Sequence, residues 1–469
     1  MLREASLFRH LTPYFFCVLS LLALAAPSPC QAKLDPGLLA GMKARSIGPA
    51  GMSGRIVAIA GVPGDENLIY LGTATGGLWK SVNGGLNFEP VFDDQPVASI
   101  GAIALEPGNP DVVWVGTGES NPRNSASVGN GIYKSLDGGR SWQHLGLEKS
   151  EHIRRIVIDP RNPDRVYAAS LGPAWSDGGD RGLYRTTDGG KSWEKILGAN
   201  DRTGCTELVM DPSNPNKLFA ALWEYRRWPW FFESGGKGSG LFVSYDAGNS
   251  WKQLGEKDGL PAGELGRIAM AFSPSDPEIV YALVEAEDNV FLRSDDGGHS
   301  FKVASKGDKI GNRPFYFSEI HVDPVWPNRV YSLWSQVSVS MDSGKSFQVL
   351  VSWSKAHPDH HAMWIDPEDP RRLILGNDGG VYLSQDRGQS WRFVSNLPLA
   401  QYYHIAVDDD QPYHVYGGMQ DNGSWRGPNT VWENGGIRNY QWEEVGFGDG
   451  FDTRPYARDS MIGYSMSQE

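Results

Sequence analysis

The 469 residues predict an all-β fold, a β-propeller of seven box-bearing blades followed by a partial eighth unit. Three observations lead there. An eight-residue phrase, Ser/Thr-x-Asp/Asn-x-Gly-x-x-Trp/Phe, begins at Ser81, Ser135, Thr186, Ser244, Ser294, Ser340 and Ser384, in steps of 44 to 58 residues. A fixed phrase at so even a period marks a repeat architecture. Between the boxes runs a second phrase, two β-type runs around a Pro turn, clearest at Ile153–Ile158, Asp159-Pro160 and Val166–Ser170. No stretch shows convincing helical periodicity, and 57 Gly with 30 Pro suit many short strands joined by tight turns.

The first 32 residues stand apart from this pattern. Arg3 and Arg9 precede an apolar run, Tyr14 to Ala26, that is too short to span a bilayer comfortably, and Cys30-Gln31-Ala32 ends in a small residue. This reads as a cleaved Sec-type signal peptide over 1–32, and so a secreted or periplasmic protein. No later segment is apolar for long enough to cross a bilayer. Cleavage leaves Cys205 as the single cysteine, so no intramolecular disulfide is available. A net charge of −13 argues against a nucleic-acid partner, which demands a basic face.

Each unit reads as four antiparallel strands, A to D, with the Pro turn between A and B and the box between C and D. In the box, Asp and Ser/Thr bond nearby backbone donors and Gly supplies positive φ, so it closes a turn. Residues 40–400 hold the seven box units. Residues 401–469 read as a partial further blade or blades, either the start of a second propeller or a closing blade.

In such a meander the A–B and C–D turns share one end, and the B–C and D–A connections share the other. From the A–B proline to the box Ser/Thr the units run 18, 28, 26, 32, 20, 16 and 17 residues, so units two, three and four carry long B–C loops. These bring Glu119 and Arg123, then Trp175, then Trp223, Tyr225, Arg227, Trp228 and Trp230. Loops on a rigid scaffold are where binding groups sit. An aromatic loop with interleaved Arg suits stacking on sugar rings or gripping a peptide; packing on a neighbouring blade explains it equally well.

The boxes, together with Gly72-Thr-Ala-Thr-Gly76-Gly77, His360-His361-Ala362, Gly376-Asn377-Asp378-Gly379-Gly380 and Gln420-Asp421-Asn422-Gly423, make the chain similar to the BNR/Asp-box propellers. That family includes sialidases, the sortilin luminal domain, photosystem assembly factors and two-propeller xyloglucan hydrolases. In particular the chain resembles exported bacterial proteins termed sortilin-like or glycosyl-hydrolase-like. The resemblance implies a propeller, and a second propeller in a longer form of the chain. Propellers host unrelated functions, so it leaves open whether the protein is an enzyme.

The hydrolases that the chain resembles carry one catalytic Asp in the first blade, where Ala74 stands here, and another in a Gly-Asp phrase that Gly448-Asp449 matches. The expected role is therefore an exported glycan- or peptide-binding scaffold using its B–C/D–A face, with His360 added to the ligand-binding set. The alternative is a glycoside hydrolase drawing a pair of carboxylates from Glu119, Asp378, Asp421 and Asp449. His357-Pro-Asp359-His360-His361 is the densest group of metal-ligand types. Its adjacent histidines point to opposite sides of a strand, which leaves His357 with Asp359 or His360 as the metal alternative to turn bonding and blade packing; no metal or cofactor is assigned.

Overall fold

The computed structural model describes residues 35–468, apart from 40, 43, 50, 52, 124, 308, 309 and 312. The segment read as a signal peptide lies outside the described residues. The chain forms two compact units, of which the first ends at Ser46. Its described part is a single 3-10 turn, Pro36–Leu39. Everything below concerns the second unit. Among the described residues, no helix is long and apolar enough to cross a membrane.

Seven antiparallel four-stranded sheets follow one another at 56–90, 100–144, 153–197, 203–253, 268–306, 319–351 and 360–393, the fourth with one added strand. The third shows the common plan. Ile153–Ile158, Val166–Ser170, Gly182–Thr186 and Glu194–Leu197 pair in sequence order, with Val166 opposite both Ile158 and Thr186. Strand B is buried along its whole length, because it lies inside the sheet with blades on both faces.

The core lies between blades. Each neighbouring pair shares one apolar cluster, as Trp114, Ile132, Ile156 and Val166 do for the second and third sheets. The seventh and first sheets share another, built from Ile56, Ile69 and Leu71 against Ile374 and Val381. The seventh sheet thus packs back on the first, and the seven sheets form a propeller.

The box acts as turn and stitch. Ser135 Oγ accepts the Gly139 N–H at 2.8 Å, Asp137 accepts the Ser141 N–H at 2.9 Å, and Gly139 sits at φ 93°. The indole N–H of Trp142 reaches back 2.6 Å to the Val91 carbonyl of the preceding blade, and Trp193 repeats this on Leu145 at 2.7 Å. Each box also bonds the A–B turn of its own blade, for example Gly138 N–H to Asp111 O at 2.8 Å. Boxes and Pro turns therefore occupy one end.

At the other end a bulge recurs at the start of strand A. Val57, Gly101, Arg154, Thr206, His361 and Tyr403 are each the extra residue left out of register with strand B. A bulge bends the strand and re-aims a side chain.

Beyond the seventh sheet, a complete four-stranded sheet spans 402–446 without a box, so the eighth unit holds more than the partial blade read from the sequence. Gly450–Tyr456 and Asp459–Ser467 then pair as a two-stranded sheet.

Candidate functional site

The B–C/D–A face is organised around Arg55, which lies just before the first strand A and is 4% exposed. Its guanidinium meets three carboxyl groups. Nε and Nη2 donate to Asp378 at 2.5 and 2.9 Å, Nη1 to Glu119 at 3.0 Å, and Nη2 to Asp421 at 3.0 Å.

The backbone brings these acids in from three blades. Glu119 follows Gly118, at φ 91°, and its N–H is held by Ser99 Oγ at 2.8 Å. Gly118 is obligatory there, because a Cβ would overlap the Glu151 carbonyl oxygen. Asp378 sits in the tight hairpin between strands B and C of the seventh blade, closed by Asn377 Oδ1 on the Gly379 N–H at 3.0 Å. Asp421 occupies the equivalent turn of the eighth sheet at φ 62°, with its N–H donating to Asp449 Oδ1 at 2.8 Å.

A second layer fixes this arrangement. The bulge residue His361 places Nε2 2.8 Å from Asp378 Oδ1, and its ring stacks on Phe317 at 5.5 Å. Arg123 donates to the Tyr316 hydroxyl at 3.0 Å and to Asp421 at 3.2 Å. His357 Nε2 meets the Asp421 carbonyl at 3.1 Å.

Arg55, with Arg123 beside Asp378 and Asp421, sets two cations against three acids, and the three carboxyl groups shift differently. Asp378, with two bonds from Arg55 and one from His361, is held well below the usual carboxylate range; burial alone would push it up, but Arg55 and His361 outweigh it. Burial pushes Glu119 up to about 7 despite Arg55. Asp421 is pushed up to about 8, by burial first and then by the Asp378 charge, against Arg55. Burial holds His361 below its ordinary value, so it is neutral and donates Nε2–H to Asp378. Separated carboxyl pKa values are the usual mark of acid and base roles.

Above this cluster lies a cavity of about 510 Å³, within the range of small-ligand sites. Asp359, Asp421 and Asp449 line it with Arg123, Arg227 and Arg313, and Tyr316, Tyr403 and Phe451 add ring surface. Tyr403 and Phe451 stack at 4.8 Å. Asp359 is raised to about 6, chiefly by burial, and Asp449 is also raised by burial.

The sequence-predicted residues divide accordingly. Asp421, Asp449, Arg123 and Arg227 line the cavity. Glu119 and Asp378 have side chains 1% exposed, so they hold Arg55 and cannot touch a substrate; their place in a catalytic pair is corrected. Trp223 and Tyr225 are buried against Leu171 and Ala174, with rings stacked at 4.5 Å, so they are core residues and no ligand platform. His360 is buried in its strand, and burial lowers it to about 3, which removes it from the binding set. Trp230 is 83% exposed and stacks on half-buried Trp228 at 6.4 Å, while Trp175 is 41% exposed. Trp228 and Trp230 lie on an added hairpin, where Trp228 pairs with Phe231.

Sequence reasoning missed Arg55, His361, Tyr316 and Arg313. A signal for the first existed, because Gly-Arg-Ile opens strand A at 54–56 and again at 266–268, and both arginines are buried. Among the described residues, the one group of side chains close enough to share a metal ion is Asp408, Asp410 and His414, at the A–B turn end of the eighth sheet. His357, Asp359 and His360 form no such group.

No family model matches the chain. An oligoxyloglucan-reducing end-specific xyloglucanase of Emericella nidulans is 22% identical over 381 residues, which is 73% of this chain and 41% of that protein. A xyloglucanase of Paenibacillus is 25% identical over 226 residues, 42% of this chain and 20% of that protein. The solved structure of an ancestral GH74 enzyme superposes with a TM-score of 0.58 at 18% identity, covering 82% of this chain and 54% of the other. The chain is a β-propeller that resembles xyloglucan hydrolases, and it spans 41% of the length of the Emericella relative.

Proposed function

We propose that this chain is an exported carbohydrate-acting propeller that cleaves glycosidic bonds in the cavity above Arg55. Asp421 serves as proton donor and Asp449 as its partner carboxylate. The carrying observation is Asp421 itself. It is half-buried on the cavity wall, and its own burial and then the Asp378 charge behind it push its pKa up to about 8 against Arg55. An acid of that kind is what glycoside hydrolysis requires at the leaving oxygen. Asp449 accepts the Asp421 N–H through one oxygen, so the peptide unit ties the second carboxyl to the first. Its carboxyl lines the cavity. The xyloglucanase likeness supports a polysaccharide substrate.

The exposed Trp228–Trp230 pair favours a second role on the same face, stacking on sugar rings beyond the cavity. We read the sheets at 402–446 and 450–467 as the opening blades of a further propeller. The seventh sheet already packs on the first, and Met461 and Tyr464 on the last strand are 81% and 73% exposed.

Release of reducing ends from xyloglucan and other plant-wall oligosaccharides tests the reading. Asp421→Asn is expected to lower the rate by roughly 10²–10⁴-fold. Because Asp421 must be protonated, wild-type activity should fall as pH rises through about 8. Binding without any bond cleavage would instead make the face a binding module.

A further inference from the structure

The cavity carries positive charge that glycosidic chemistry does not use. Arg123 is engaged by Asp378, Asp421 and Tyr316. Arg227 and Arg313 are not engaged in this way. Arg227 is half-buried, its Nη2 donates to the Pro122 carbonyl at 3.2 Å, and its buried Nε has no partner among the described residues. Arg313 is exposed, lies 5.0 Å from the Tyr316 ring centroid, and has no carboxylate at ion-pair distance among the described residues. Burial and the neighbouring charge of Arg313 both lower the Arg227 pKa, and the two cations line the cavity with Asp359, whose carboxyl feels the Arg313 charge against its own burial. On a chain of net charge −13 such a pair is not a general feature of the surface.

We propose that the cavity takes an acidic glycan, a sugar chain bearing carboxylate groups, and that Arg227 and Arg313 read its charge. The proposal rests on the carbohydrate reading above and names the class of sugar. Planar guanidinium groups match carboxylates through paired charge-assisted bonds. Phe451 and Tyr403 supply ring surface for the pyranose, and Arg313, exposed beside the Tyr316 ring, lines the same cavity. A neutral chain would leave both cations facing only hydroxyl groups.

Isothermal titration of the whole chain with trigalacturonate and with a neutral xyloglucan heptasaccharide decides the matter. The expected result is a preference of about ten-fold or more for the uronate at low salt, equal to about 1.4 kcal/mol, which shrinks as salt rises. Arg313→Gln and Arg227→Gln should each reduce the preference, and the double variant should bring it near unity. Arg313 is exposed, so its variant is not expected to disturb folding. Equal binding of the two sugars, or a preference that survives Arg313→Gln, overturns the acidic-glycan inference and leaves the carbohydrate reading standing. Binding of neither sugar overturns both. An acidic peptide that binds as tightly as trigalacturonate shows charge reading without sugar recognition, and overturns the ligand class.

Discussion

Arg55→Met removes the one cation that touches Glu119, Asp378 and Asp421 together. The Glu119 and Asp378 side chains are each 1% exposed, so water cannot replace the guanidinium. Deleting one partner of a buried ion pair costs about 3–5 kcal/mol. Asp378 keeps His361, and the contact with Asp421, 25% exposed, is discounted for solvent screening. The working figure is about 4 kcal/mol near neutral pH, which lowers Tm by on the order of 8 °C in a large domain. The pH dependence follows from the directions of shift. Glu119 ionises near 4.5 when unfolded and near 7 when folded, so the folded wild type binds the extra proton between those values and loses stability as pH rises through them. Asp378 runs the other way: its folded pKa is depressed, so its contribution is present above the unfolded pKa and is lost as pH falls through the folded one. Without Arg55 all three folded pKa values rise, and the variant takes up protons that the wild type does not. Its deficit should therefore shrink between about pH 7.5 and about pH 5. Urea unfolding followed by tryptophan fluorescence at both pH values measures this, with Arg55→Lys as a control that keeps charge but loses the fork. A deficit below about 1 kcal/mol, or one that does not shrink on acidification, would refute the reasoning.

Two further substitutions separate core from surface. Trp223→Ala should destabilise by about 3–5 kcal/mol, whereas Trp230→Ala should leave stability within about 0.5 kcal/mol and weaken glycan binding. Thermal unfolding and titration of the same preparations compare them. Ser135→Ala removes the acceptor for the Gly139 N–H and the donor to Asp137 at 2.8 Å, and should cost about 1–2 kcal/mol with ligand affinity unchanged. A change in affinity there would mean that the box end is coupled to the site.

The fold was legible because the box is a local device. Its Ser–Gly and Asp–Ser bonds span four residues, so their pattern survives in the sequence whatever surrounds it. The face on which to look was legible too, since strand order alone sorts turns from loops. Arg55 was not, because its three partners lie 64, 323 and 366 residues away and meet it only when the second, seventh and eighth sheets are brought to the first. Trp223 and Trp230 illustrate the other limit. They sit seven residues apart in one aromatic run, yet the first faces a neighbouring blade and the second caps a hairpin turn. Composition treats them alike. Only the register of Tyr225 against Ser234 separates them.

The proposed acid is assembled from several blades, with few catalytic-type residues in any one of them. The ring supplies Arg55, Glu119, Asp378 and His361, a set nearly closed to solvent whose cation is already shared by two carboxyl groups. Asp421 arrives from the eighth sheet as a third claimant on that cation, and it meets an ionised Asp378 at the same nitrogen, Nη2, at 3.0 and 2.9 Å. Burial and the Asp378 charge push Asp421 up to about 8 against Arg55, although Arg123 also holds it at 3.2 Å. With Ala74 1% exposed and its N–H bonded to the Arg55 carbonyl, the first blade offers no carboxyl of its own at that point. The proposed acid thus belongs to the junction between the ring and the sheets that follow it, with neither part sufficient for it.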